Sequence, residues 1–91
     1  MWATAYAYTG QMTATGTWPK VGTIAVDPEV IQLGSTLWVE GYGYGKAEDT
    51  GSAIEGMIID VYLGSEELAL EWGRKRVLVI TFPPEVPMDG T

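Results

Sequence analysis

Three of the four aspartates stand at strand-like positions beside apolar residues. Asp27 closes Thr23-Ile24-Ala25-Val26, Asp49 closes Lys46-Ala47-Glu48, and Asp60 interrupts the run from Met57 to Leu63. A carboxyl held against isoleucine and tyrosine, within reach of a second carboxylate, has its pKa raised by desolvation and like charge. It can then stay protonated and deliver a proton near neutral pH. Asp60 is the best placed of the three, because an acid inside a seven-residue apolar run costs stability unless it is satisfied or reached by solvent. The structural alternative is plainest for the other two: an aspartate before Pro28 reads as a turn former, and Asp49-Thr50-Gly51 reads as an Asx turn. The chain contains no histidine, which removes Ser-His-Asp and Cys-His nucleophile systems and the usual zinc ligands. Carboxylates are left as the acid/base chemistry, with no metal or cofactor expected.

The elements that must position these acids follow from alternation. Residues 2–8 alternate large and small with period two, as a strand does. In 23–27, Ile24 and Val26 point one way and Thr23, Ala25 and Asp27 the other; in 58–62, Ile59 and Val61 oppose Ile58, Asp60 and Tyr62. Each of these two strands thus has an apolar face and a face carrying an acid. The run of Asp60 extends over 57–63, and further strands are predicted over 35–40, 46–49 and 76–82, with Tyr42 and Tyr44 on a glycine-rich loop between the third and fourth strands of the chain. Those tyrosines read either as a sugar-stacking platform or as plugs over a barrel end. One helix is predicted over 65–72, capped by Ser65, with Glu66 and Glu67 at its positive end and Gly73 closing it. Leu68 and Trp72 at i, i+4 read as core packing, and Arg74-Lys75-Arg76 as compensation for the helix's negative end. Six strands and one short helix favour a small closed barrel, since closure removes edges that a tiny sheet could not protect.

Ninety-one residues permit a single core, and 46% hydrophobic content is enough to build it. The domain is expected over 1–82, with a Pro-containing tail over 83–91. Without cysteine, stability must come from packing. A net charge of −7 repels phosphate backbones, so no nucleic-acid partner is expected. No apolar run approaches the roughly 20 residues of a membrane span, and Met1-Trp2 lacks the basic start of a signal peptide. The chain is expected to be soluble and monomeric, and to suit the mature part of a longer exported protein.

Several blocks occur in a familiar order: Ala3-Thr4-Ala5-Tyr6, Thr13-Ala14-Thr15-Gly16, Gly22 to Pro28, Ile31 to Ser35, Gly41-Tyr42-Gly43, Ala47 to Gly51, Ala53 to Gly56, Ile59 to Tyr62 and Ala69 to Arg74. Together they resemble the 3D domain, named for three aspartates, over residues 3 to about 82. The resemblance implies a mainly β fold, a small six-stranded double-psi β-barrel with one short helix, as in bacterial wall enzymes and the catalytic barrel of membrane-bound lytic transglycosylase A. It implies an extracellular or cell-wall location, with peptidoglycan glycan strands as partner. The implied reaction is non-hydrolytic cleavage of the β-1,4 bond between N-acetylmuramic acid and N-acetylglucosamine, with a 1,6-anhydromuramyl product. Asp60 would be the catalytic acid/base, Asp27 and Asp49 would line its groove, and Thr15, Tyr42, Tyr44, Thr50, Gly51, Ser52 and Glu55 would contact the glycan.

The chain departs from the family pattern where Ser52 replaces a glycine and Glu55 a lysine. Glu55 is expected to add negative charge near Asp60. Two other readings stay open: a glycan-binding or structural barrel without catalysis, and a homodimeric aspartic protease built on Asp49-Thr50-Gly51-Ser52. The protease reading leaves Asp27 and Asp60 unexplained.

Overall fold

The computed structural model describes residues 1–84. Most of the tail expected over 83–91, including Asp89, lies outside the described residues. The elements run β1 (Trp2–Tyr6), β2 (Thr23–Val26), β3 (Thr36–Val39), β4 (Gly43–Asp49), β5 (Ile58–Tyr62), α1 (Glu66–Trp72), β6 (Lys75–Arg76) and β7 (Val79–Phe82). All seven strands form one sheet in the order β6-β1-β5-β2-β4-β3-β7. Two parallel pairs, β1 with β5 and β2 with β4, are joined through the antiparallel pair β2 and β5.

The strand predicted over 76–82 is one passage of chain serving both ends of this sheet. Its first part, β6, pairs with β1, and its second, β7, pairs with β3. Between them Val77 exchanges two backbone bonds with Met1, each 2.9 Å, while the Leu78 carbonyl accepts from Glu40 N–H at 3.0 Å. The sheet curls so that Val77 and Leu78 link its edges, which accounts for seven strands in place of six.

The expected alternation fills the core. Ile24, Val26, Ile59 and Val61 are fully buried and pack with Ala3, Leu37, Val39 and Ala47. Burial of each branched side chain contributes about 1.5–3 kcal/mol. It also fixes the register, because a one-residue slip would turn the acid-bearing face inward.

Two local expectations are corrected. The glycine-rich loop is mostly strand, since β4 begins at Gly43. Gly45 within it is required by close approach: a Cβ there would lie 2.6 Å from the Gly22 carbonyl oxygen and 2.6 Å from Ile24 Cδ1. The helix is capped as predicted, Leu68 N–H donating to Ser65 Oγ at 3.1 Å and Gly73 N–H to the Ala69 carbonyl at 3.2 Å. Leu68, however, is 49% exposed. A seven-residue helix on the outside of the sheet brings Trp72 against the core, its indole donating to the Ala3 carbonyl at 3.1 Å, and leaves Leu68 in solvent. The cations after the helix lie over aromatic rings, with Arg74 4.9 Å above Trp2 and Lys75 3.8 Å above Trp72.

Candidate active site

Asp60 lies in the middle of β5, opposite Thr4 of β1 on one side and Ala25 of β2 on the other. Asp49, the last residue of β4, also stands opposite Ala25. Thr4, Asp60, Ala25 and Asp49 therefore form one row across four neighbouring strands. The Cα atoms of the two acids are separated by two inter-strand spacings, roughly 10 Å. Ala25, 4% exposed, presents only a methyl group between them.

Asp49 reaches this row through an irregularity. Ile24 pairs with Ala47, but the next residue, Ala25, pairs with Asp49, so Glu48 is an extra residue in β4. A β-bulge re-aims the side chains that follow it. Without it Asp49 would share the face of buried Ala47; with it the acid stands on the face of Asp60. Asp49 Oδ1 accepts from Ala14 N–H at 3.0 Å and from Thr50 N–H at 2.9 Å, fixing the carboxylate and the loop beyond it.

The two acids line one cleft of about 280 Å³ together with Tyr6, Thr9, Gln11, Met12, Thr50, Gly51 and Ile54. Burial pushes the Asp60 carboxyl above its ordinary pKa. The Thr4 hydroxyl, donating to Oδ1 at 3.0 Å, opposes that rise, and the negative charge of Asp49 adds to it. Tyr6 lines the same cleft. Its hydroxyl is buried without a hydrogen-bond partner among the described residues, and its pKa is raised by burial and by the charges of Asp49 and Asp60. Asp49 also acts on it as an acceptor, but the contact falls short of a formed hydrogen bond. Such a cleft can hold a neutral polar ligand between two carboxyl groups, one of which, Asp60, is shifted towards its protonated form by burial.

Asp27 stands apart from the pair. Its Oδ1 accepts from Glu29 N–H at 2.9 Å and its Oδ2 from Gly56 N–H at 2.8 Å. These two bonds, that to Gly56 first, hold its carboxyl below the usual range. Asp27 is absent from the cleft wall and does not act on the charge of Asp60. The turn-forming reading of this residue describes its contacts, and its grip on Gly56 anchors the loop that carries Thr50, Gly51 and Ile54.

The other expected contacts divide. Thr50 and Gly51 line the cleft, whereas Ser52 and Glu55 are exposed and off its wall. Burial, Thr4 and Asp49 are what shift Asp60. Thr15 belongs to a knot of hydroxyls with Thr13 and Thr17 and is not on the cleft wall. Tyr42 is structural: its hydroxyl accepts from Gly22 N–H at 2.6 Å and donates to the Tyr62 carbonyl at 2.7 Å, with its ring edge-on to Trp72. Tyr44, 69% exposed, pairs with Trp38 away from the cleft. Tyr6, Thr9, Gln11, Met12, Ala25 and Ile54 were not legible as cleft residues from sequence. For Tyr6 a signal existed, since its alternation places it on the face of Thr4.

The sequence profile of the 3D domain matches residues 22–82, from the strand bearing Ala25 to the end of β7. The chain belongs to the 3D domain family. Two relatives from Bacillus subtilis (strain 168), the putative cell wall shaping protein YabE and the cell wall-binding protein YocH, are each 54% identical to this 3D domain over 61 residues, 67% of the chain. The chain spans only 15% and 21% of their respective lengths. The crystal structure of MltA from E. coli has the same fold, with a TM-score of 0.65 and 20% identity, over 88% of this chain and 29% of that one. The 3D domain here is thus a mainly β, curled sheet with one short helix, the double-psi barrel expected, its final strand divided in two.

Proposed function

We propose that this 3D domain acts on the peptidoglycan of a bacterial cell wall as a lytic transglycosylase, cleaving the bond between N-acetylmuramic acid and N-acetylglucosamine. The observation that carries the reading is the row Asp60, Ala25, Asp49: a desolvated acid in an open cleft, facing a second carboxylate across a methyl group. The wall-related names of YabE and YocH, and the fold shared with MltA, support the substrate class.

In the proposed reaction Asp60 gives its proton to the glycosidic oxygen as the bond to the muramyl C1 breaks. The 6-hydroxyl of the same sugar attacks C1, and its proton returns to the Asp60 carboxylate. The nucleophile is tethered to the reacting sugar, so proximity replaces a positioned water and one decisive acid suffices. Asp49 adds to the upward shift that burial gives the Asp60 carboxyl and offers an acceptor to a sugar hydroxyl. Asp27 is a positioning residue that holds the loop of Thr50 and Gly51 through Gly56. No metal or cofactor takes part, one chain supplies both acids, and the reaction takes place outside the cell or in the wall. That both acids come from one chain weighs against a protease that would need a dimer to gather them.

A second reading, a wall-binding module without catalysis, draws on the name of YocH. Incubating the protein with purified peptidoglycan in ¹⁸O-labelled water separates the two. Cleavage by this route yields anhydromuramyl ends without ¹⁸O; ¹⁸O-labelled reducing ends would make the enzyme a hydrolase, and bound but uncut glycan would favour the binding module.

A further inference from the structure

A second hollow, of about 650 Å³, adjoins the carboxylate cleft, with Tyr6 and Thr9 in the walls of both. One side of it is the margin of β1. Trp2 N–H donates to the Met57 carbonyl at 3.1 Å and the Tyr6 carbonyl accepts from Leu63 N–H at 3.0 Å, so Trp2, Thr4 and Tyr6 direct their backbone groups at β5. Alternation along the strand directs those of Ala3 and Ala5 to the opposite edge. There Ala3 is occupied, pairing with Lys75 and accepting the Trp72 indole N–H. β6 reaches no further, and among the described residues nothing pairs with the outward backbone groups of Ala5.

We propose that this trough receives a short extended peptide laid along the free edge of β1, with a cationic side chain against Glu66. Resting on the function proposed above, that peptide is the stem that branches from the muramyl sugar. An unpaired strand edge recognises main-chain amides by adding a strand, which a sugar cannot supply. A muramyl residue seated at Asp60 carries its peptide branch out of the cleft, and the rim shared through Tyr6 and Thr9 is an exit already open. Gly64 and Ala69 keep the far wall low, and the exposed Glu66 on that wall, in a chain of net charge −7, suits an amine.

The test uses the full chain, amide hydrogen exchange, and three soluble probes: the tetrapeptide Ala-γ-Glu-Lys-Ala, the same peptide with its lysine acetylated, and chitotetraose. The tetrapeptide is expected to slow exchange of the Ala5 amide and shift the resonances of Ala5 and Gly64, whereas chitotetraose shifts Thr50 and Gly51. Acetylation of the lysine, or Glu66→Gln, is expected to weaken peptide binding by about 2–5-fold, the worth of an exposed ion pair. The trough assignment is overturned if the tetrapeptide leaves Ala5 exchange unchanged or if chitotetraose protects it equally. Anhydromuramyl ends without Ala5 protection would overturn the trough alone; Ala5 protection without such ends would overturn the cleavage reading and leave a peptide-binding trough.

Discussion

Asp49 and Asp60 stand on the two strands that flank β2, and both face Ala25. That residue lines the same cleft and presents only a methyl group between them. Ala25→Leu is expected to fill the space between them and reduce glycan cleavage by at least about tenfold, while overpacking costs about 1–3 kcal/mol of stability. Thermal unfolding and initial rates on the same preparation check this. Full activity in Ala25→Leu would show that the gap is not where sugar sits.

The charge of Asp49 raises the pKa of Asp60. Removing it in Asp49→Asn is expected to lower the pKa of Asp60, so the alkaline limb of the pH–rate profile moves to more acid pH. A ¹³C carboxyl titration of Asp60 in both proteins measures the shift directly, and coincident titrations would contradict the pairing.

Stability should depend on pH with opposite signs at Asp60 and Asp27. The folded pKa of Asp60 is raised, so its penalty is absent below the unfolded value, grows as pH rises towards the folded value, and is complete above it. Asp60→Asn should therefore melt at the same or a higher temperature than wild type at neutral pH, with the difference closing in acid.

For Asp27 the folded pKa is lowered, so its contribution is present above the ordinary carboxylate value and lost as pH falls through the folded one. Asp27→Asn, whose amide would oppose the Gly56 N–H, is expected to melt lower than wild type at neutral pH and to converge with it in strong acid. Melting curves at several pH values test both signs.

How far sequence reaches is clearest at these residues. The faces of β2 and β5 were legible, because period-two alternation over Thr23 to Val26 and Ile58 to Tyr62 leaves one register that buries the apolar set. The order of motif blocks fixed the family. The resemblance put Asp49 in the groove, but its face was not legible from alternation, since the bulge at Glu48 depends on pairing with residues 23 to 24 positions earlier and leaves no local mark. The first part of β4, residues 43–45, was hidden by glycines that local propensity assigns to a loop, whereas Gly45 is demanded by the approach of the Gly22 carbonyl and Ile24. The hydrogen-bond partners of Tyr42 were hidden for a related reason: Gly22 and Tyr62 are each twenty residues away.

The two tyrosines should consequently respond in different ways. Tyr42→Phe leaves the Gly22 N–H and the Tyr62 carbonyl without their shared partner and is expected to cost about 1–3 kcal/mol. Tyr44→Ala, at an exposed position, should stay within about 0.5 kcal/mol of wild type. Chemical denaturation distinguishes them, and equal losses would contradict the structural role of Tyr42.

The most direct measurement is a mass-spectrometric digest of purified peptidoglycan by the wild-type protein and by Asp60→Asn, both confirmed as folded. Wild type is predicted to release fragments ending in 1,6-anhydromuramic acid, and Asp60→Asn to release none. Anhydromuramyl ends produced equally by Asp60→Asn would contradict the account.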